Sequence, residues 1–335
     1  MRKLAAKLSK NNPPLTNTDQ TIISPQALAI ATILSEMKIM LAKCIRRLAL
    51  AGLALGVAAH MAAAAQTLDL IARKGTIRIG YITDEVPFSF KKKDGNPAGY
   101  TIDLCGKIAD AVARKLPQVK RDYVEITLAD GFDAVKSNQI DLLCGAVTIN
   151  LGRRDSVDFS QPIFLTGASA LLRKDSPEYL QILFLDKRPT RATDRKSPSA
   201  SIIGVRADTT TGATLREALG PDVPQTRVVD FPTHQDGLNA LENHKIDAYF
   251  ADRALLISLA AHARAPSTLA IGNRLFTHEP YGIALRRDDS TFRLLVDQAL
   301  TEFYQSDDFP KLLKTYFGDE GPVLRSEIMT QSVPE

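Results

Sequence analysis

The sequence predicts an α/β protein with two lobes built alike. Three observations carry that expectation. Stretches with strand character alternate with stretches of helical periodicity, the pattern of a mostly parallel sheet flanked by helices. One helix-then-strand unit, Gly131-Phe132-Asp133-Ala134-Val135 followed by Ile140-Asp141, recurs at identical spacing as Gly237-Leu238-Asn239-Ala240-Leu241 followed by Ile246-Asp247. The chain of 335 residues, 44% apolar and 24% charged, is long enough for two ordinary domains and lies in the globular range.

The leader comes first. From Met40, the basic residues Lys43, Arg46 and Arg47 precede the uncharged run Leu48 to Ala59, and Ala63-Ala64-Ala65 precede Gln66. This is the layout of a cleaved secretory signal peptide, in a leader of residues 1–65 with Met37 and Met40 as alternative starts. A retained anchor fits less well, because the uncharged stretch from Leu48 to Leu68 is mostly Ala and Gly and includes His60 and Gln66. The formal charge of +4 belongs to this leader: eight of the 42 basic residues and two of the 38 acidic ones lie in it, which leaves a net of −2 from Gln66 onward. No basic patch in the body argues for nucleic acid.

In the mature chain, Thr76 to Tyr81 alternates as a strand does, and a Pro- and Gly-rich loop follows (Pro87, Gly95, Pro97, Gly99). Leu104, Ile108, Ala111 and Val112 then recur at one face of a helix. Val124 to Ile126 reads as a strand, Phe132 to Ser137 as a short helix, and Ile140 to Leu143 as a buried strand. Residues 180–201, with Lys187-Arg188-Pro189-Thr190-Arg191 and Ser197-Pro198-Ser199, break the rhythm and read as a mobile loop. Two such lobes would set the C-terminal ends of their strands around a shared cleft, where ligands of α/β sheets bind.

The chemistry starts from exclusions. The five His residues are scattered and the two mature cysteines lie far apart in sequence, so no catalytic metal is expected, and neither a Gly-x-Ser-x-Gly elbow nor a Gly-Lys-Thr phosphate loop occurs. Polar residues instead follow the buried strands. After Ile140 to Gly145 come Ala146, Thr148 and Arg153, and after Ile246 to Phe250 comes Asp252. One lobe offers a guanidinium suited to a carboxylate and the other a carboxylate suited to an ammonium. Two surface charges at helix starts, with Asp252 as an N-cap, would account for the same pattern. Cleavage of the leader removes Cys44 and leaves Cys105 and Cys144 in an oxidising compartment, as a disulfide or as two separate buried thiols.

The segments VPFSF (86–90), GNPAGYTIDLC (95–105), IDLLCGAVTINLGRRDSVDFSQPIF (140–164), GLNALENHKIDAYFADRALL (237–256), EPYGIAL (279–285) and LLKTYFG (312–318) resemble the periplasmic amino-acid-binding proteins of ABC importers, solute-binding protein family 3, nearest its glutamate/aspartate-binding branch. The resemblance covers nearly all of Thr76 to Gly318 apart from the loop before Ser201. It implies the type II periplasmic binding protein fold, with lobe 1 from residues 66–167 and 283–335, lobe 2 from 168–282, and crossings at Leu165 to Gly167 and Pro280 to Gly282. It further implies a monomer without cofactor that closes on one free amino acid and passes it to a membrane permease. By the same resemblance Arg153 clamps the ligand α-carboxylate, Ala146 to Thr148 contact both α groups, Thr209 and Thr210 help hold the carboxylate at a helix start, and Asp252 binds the α-ammonium. Cys105 and Cys144 match a cysteine pair of that branch.

Two departures bear on the ligand. The glutamate/aspartate binders carry extra arginines where this chain has Ile82 and Gly131, and Glu85 and Asp130 stand nearby. A dicarboxylic ligand would then bury an unpaired charge, so a neutral or polar amino acid is expected first, a cationic one second and a dicarboxylic one last, unless Arg78 or Arg206 supplies the missing cation. Two other classes share the fold. A cyclohexadienyl dehydratase-like enzyme would use Glu85 and Asp130 as its acid and base. A sensor would need a membrane segment or further domain, for which only Asp319 to Glu335 follow the lobes, or would act as a free-standing protein docking on a membrane kinase.

Overall fold

The computed structural model describes residues 40, 66–186, 201–219 and 226–334. The expected signal peptide, apart from Met40, lies outside the described residues. After α1 (Thr67–Lys74) and β1 (Thr76–Tyr81), a small antiparallel sheet is formed by β2 (Asp84–Glu85), β3 (Ser89–Lys91) and β4 (Pro97–Ala98). Gly99 then turns the chain into α2 (Tyr100–Lys115) at φ 132°, where a side chain would come within 2.2 Å of the Phe88 carbonyl oxygen.

The first large sheet has the strand order β5-β1-β6-β15-β7, from β5 (Lys120–Glu125), β6 (Leu142–Cys144), β7 (Asp158–Phe159) and β15 (Ala284–Leu285). Ile77 and Ile79 of β1 and Leu142 and Cys144 of β6 face a core shared with α2 and with the C-terminal helices α9 (Ser290–Gln305) and α10 (Asp308–Phe317). The opposite face packs Leu143 against Leu128, Ala134 and Val135 of α3 (Leu128–Lys136). Alternation along each strand thus fills both faces, and burying one such Leu or Ile stabilises by roughly 1.5–3 kcal/mol. Cys105 in α2 and Cys144 in β6 are joined by a disulfide.

The second sheet has the order β11-β10-β12-β9-β13, from β9 (Ala168–Arg173), β10 (Ser201–Arg206), β11 (Thr226–Phe231), β12 (Ala248–Asp252) and β13 (Leu269–Ile271). It is flanked by α5 (Glu178–Phe184), α6 (Thr210–Leu219), α7 (His234–Glu242) and α8 (Arg253–Ala261), with α4 (Leu151–Arg154) preceding them in the first lobe. Between the sheets, β8 (Phe164–Thr166) pairs antiparallel with β14 (Glu279–Tyr281), Leu165 opposite Pro280. Each large sheet contains one reversed strand, β15 in the first and β9 in the second, and each is the first strand of its sheet made after the chain passes through this two-stranded link.

The internal echo has a physical basis. In both copies the glycine lets a helix lie on the following strand: a Cβ on Gly131 would meet Leu143 at 2.7 Å, and one on Gly237 would meet Tyr249 at 2.1 Å. In both, the aspartate closes the strand start, since Asp141 accepts the amide of Arg78 and Asp247 that of Ile202, each at 2.8 Å.

Several sequence expectations are corrected. The strand expected at 124–126 begins at Lys120 and pairs along the whole of β1, its charged start being the exposed edge of the sheet. The helix expected at 132–137 starts at Leu128, because the Thr127 hydroxyl accepts the amide of Asp130 and caps it. The expected loop 180–201 is not a loop at its ends: Leu180 to Phe184 belong to α5, with Leu180 buried in the core, and Ser201 opens β10. Residues 187–200 lie outside the described residues. The tail after Gly318 forms a further helix, α11 (Gly321–Gln331), with Ile328 buried in the first core. Among the described residues no helix is long and apolar enough to cross a membrane.

Candidate functional site

The strand ends converge on the cleft. From the first lobe, β1 leads to Asp84 and Glu85, and β6 leads to Ala146 and Thr148. From the second, β10 ends at Arg206 before Thr209 and Thr210, and β12 ends at Asp252. Glu85, Ala146, Thr148, Arg153, Arg206, Thr209, Thr210, Thr211, His234 and Asp252 all line one inner pocket of about 20 Å³, room for little more than one water. The segment 147–149 is held there by the link strand, for Ile149 donates its amide to Pro280 and Gly282 donates to Val147.

Arg153 sits on α4, which Asn150 caps by accepting the Arg153 amide at 2.8 Å. Its guanidinium lies over the Phe132 ring, 4.9 Å from the centroid, and Nη1 donates to the Thr148 carbonyl oxygen at 2.8 Å. No carboxylate among the described residues pairs with it at ion-pair distance. Burial pushes its pKa below the usual value, opposed by the field of Glu279, Glu85 and Asp252. The fork is therefore available to an incoming carboxylate.

Asp252 stands at the N-cap position of α8, yet its side chain makes no cap bond. It accepts instead from Thr211 at 3.2 Å and from the Tyr281 hydroxyl. Burial, then the neighbouring Glu279, raise its pKa to about 7. The capping role that the sequence left open is thus excluded by geometry. Thr210 donates to Glu279 at 2.8 Å, while the Thr209 hydroxyl caps α6 by accepting the Gly212 amide at 3.2 Å.

Glu85 is 2% exposed. One oxygen accepts the Ala146 amide at 2.7 Å and the other lies 3.3 Å from Nη1 of Arg206. Burial raises its pKa to about 7 against the pull of Arg206. Arg206 also pairs with Asp84 at 2.8 Å, and Asp84 in turn accepts the amide of His234. His234 is held neutral, its pKa pushed to about 3 by burial and by Arg206, and its Nδ1 shares a hydrogen bond with Tyr249.

Two expected ligand residues are not in the inner pocket. Ile82 and Asp130 line an outer cavity of about 660 Å³, which Arg206 also borders. Ile82 is a core residue, 1% exposed among Leu128, Leu143 and Val147. Asp130 closes the cap of α3 with Thr127. Arg78 is committed to Asp141, the other end of the first sheet's strand pair. Sequence reasoning missed Asp84, His234, Glu279 and Tyr281; the EPYGIAL segment held the last two, but only the pairing of β14 with β8 shows which side chains turn into the cleft.

A half-buried guanidinium from the first sheet's side and a buried carboxylate at the end of β12 line one inner pocket, an arrangement whose charges match those of a small zwitterion. Residues 77–319 match the model of the bacterial extracellular solute-binding proteins, family 3, and the chain belongs to that family. It is 28% identical over 287 residues to the glutamate/aspartate import solute-binding protein of Escherichia coli K12, covering 83% of this chain and 90% of that protein. The L-glutamate/L-aspartate-binding protein of Pseudomonas aeruginosa is 28% identical over 254 residues, covering 75% of this chain and 80% of that protein. Among solved structures, an ancestral amino acid-binding protein described as a precursor of cyclohexadienyl dehydratase superposes with a TM-score of 0.62 at 26% identity, over 76% of this chain and all of that one. The P235GK mutant of the arginine-binding protein of T. maritima gives 0.61 at 26% identity, over 76% of this chain and all of that one.

Proposed function

We propose that this protein captures a free amino acid in the periplasm, as a monomer exported by its leader, and delivers it to the permease of an ABC importer. The observation that carries the reading is the pairing of Arg153 and Asp252: both line the same pocket from opposite lobes, Arg153 half-buried and Asp252 buried, and neither has an ion-pair partner among the described residues. A zwitterion supplies both missing charges at once, its α-carboxylate to Arg153 and its α-ammonium to Asp252. Thr148, Ala146, Thr210 and Thr209 add hydroxyls and amides around it.

The pocket admits an amino acid only if the lobes part, which breaks the contacts of Arg206 with Asp84 and Glu85. In this reading lobe 1 comprises 66–167 and 283–335, lobe 2 comprises 168–282, and the link strands are the hinge. A thermal-shift and calorimetric screen over the twenty amino acids tests the reading. Ligand at a hundredfold excess over Kd stabilises by about 2.7 kcal/mol, which should raise the melting point by at least ~2 °C. No shift with any amino acid sinks it.

The buried Glu85, titrating near 7, favours a second reading as an enzyme on the same fold. It would have to act without Asp130, which lies in the outer cavity. Release of phenylpyruvate from prephenate would support it.

A further inference from the structure

Once Arg153 and Asp252 are assigned to the α groups, as in the function proposed above, two opposed groups remain in the inner pocket: Arg206 and Glu85. Glu85 lies in β2 beside the first sheet and Arg206 ends β10 of the second, so the pair bridges the two halves of the site. Arg206 is 6% exposed, and its Nε–H has no hydrogen-bond partner among the described residues. Its other nitrogens reach Asp84 at 2.8 Å and Glu85 at 3.3 Å. Glu85 gives one oxygen to the Ala146 amide at 2.7 Å, and the other has only the long contact with Arg206. The pair therefore presents a buried, unmet N–H donor beside an under-used carboxylate acceptor.

A ligand side chain ending in either charge meets a like charge here. A carboxylate that accepts from Nε of Arg206 brings its second oxygen toward Glu85. An ammonium or guanidinium that donates to Glu85 lies against Arg206. An apolar end leaves both groups unmatched, which a buried site penalises. A carboxamide carries an acceptor and a donor on one carbon: its oxygen can take the Arg206 Nε–H while its NH₂ donates to Glu85. We infer that Arg206 and Glu85 form a side-chain subsite that selects an amino acid ending in an uncharged carboxamide, glutamine or asparagine. Arg206 thus supplies the cation lacking at Ile82 and Gly131, but in a form already balanced by Asp84 and Glu85.

Calorimetry on the full mature protein at pH 7.5 tests this with L-glutamine, L-asparagine, L-glutamate, L-aspartate, L-lysine, L-arginine and L-alanine. The expected result is that one carboxamide binds tightest and at least tenfold more tightly than its isosteric acid. Tightest binding of an acid, of lysine or arginine, or of alanine overturns the subsite while leaving the amino-acid-binding reading intact. Binding of none of the seven overturns the subsite, and the amino-acid-binding reading then stands or falls with the screen over all twenty. The Glu85→Gln variant, checked for folding by circular dichroism, removes the charge that repels a ligand carboxylate. It should raise the affinity ratio of glutamate to glutamine at least tenfold. An unchanged ratio overturns the role assigned to Glu85, and Arg206→Met should cut glutamine affinity at least tenfold by removing the donor.

Discussion

Replacing Asp252 by asparagine should weaken amino-acid binding strongly while leaving the ligand-free protein as stable as before, or more so. The carboxylate is 7% exposed, accepts two hydroxyls and has no cationic partner at ion-pair distance among the described residues. Burial, with Glu279 next, raises its pKa from 3.8 to about 7, a displacement worth roughly 4 kcal/mol against the ionised form in the closed cleft. Asparagine keeps the shape and the cap position; its single oxygen can accept from one of the two hydroxyls that now donate to separate carboxylate oxygens, its NH₂ can donate to the other hydroxyl oxygen, and it carries no charge to desolvate. The same change leaves a buried ligand ammonium without its counter-ion, at a cost of about 2–5 kcal/mol, or about 30-fold to several thousandfold in Kd. Calorimetric titration of both proteins at pH 8 with the tightest amino acid, alongside guanidinium unfolding without ligand, reads the two effects separately. An affinity within threefold of the wild type would refute the placement of the α-ammonium. A loss of affinity matched by an equal loss of unfolding free energy would show that the effect is on the fold.

The disulfide closes a loop with a sequence separation of 39, for which the chain-entropy estimate is about 4 kcal/mol; the Cys105→Ala, Cys144→Ala double variant should lose stability of that order in chemical unfolding, and an unchanged midpoint contradicts it. Glu85 and Asp252 both titrate near 7 because of burial, above the values of an unfolded chain. The folded protein therefore holds extra protons between about pH 4 and 7, and their contribution to stability is present at low pH and lost as pH rises through 7; the melting-point profile of Asp252→Asn should show less of this fall than the wild type. Asp141→Ala should cost about 3–5 kcal/mol, since it strands the largely buried Arg78; a loss below 1 kcal/mol in urea unfolding would show that water or another group takes over the guanidinium.

What the sequence made legible was local. β1 and α2 were readable because Ile77 and Ile79, and Leu104, Ile108 and Val112, repeat with the period of the face they bury. The echo was readable because a glycine and an aspartate do the same packing work at fixed offsets in both lobes. β5 was cut short because Lys120, Arg121 and Asp122 are exposed on an edge strand and leave no apolar trace. In the site, Arg153, Thr148 and Asp252 were legible through their family motifs. Arg206 was named only as a spare cation, and His234 and Glu279 were not placed, because the contacts of Arg206 with Asp84 and Glu85, of His234 with Asp84 and Tyr249, and of Glu279 with Thr210 join separate elements and leave no periodic trace. Ile82 was misplaced for the complementary reason: a position aligned with a ligand contact can still turn its side chain into the core.

The reversed strands have a consequence for the order in which the molecule can be completed. β6 pairs with β1 on one edge and with β15 on the other, and the whole second sheet lies between β6 and β15 in the chain. A chain emerging N-terminus first therefore exposes an open edge of β6 until Ala284 and Leu285 arrive, while the second sheet is assembled from one continuous segment. The Cys105–Cys144 bridge joins α2 to β6, both made before that interval begins. It can therefore fasten the unfinished half of the first sheet during the time its edge has no partner.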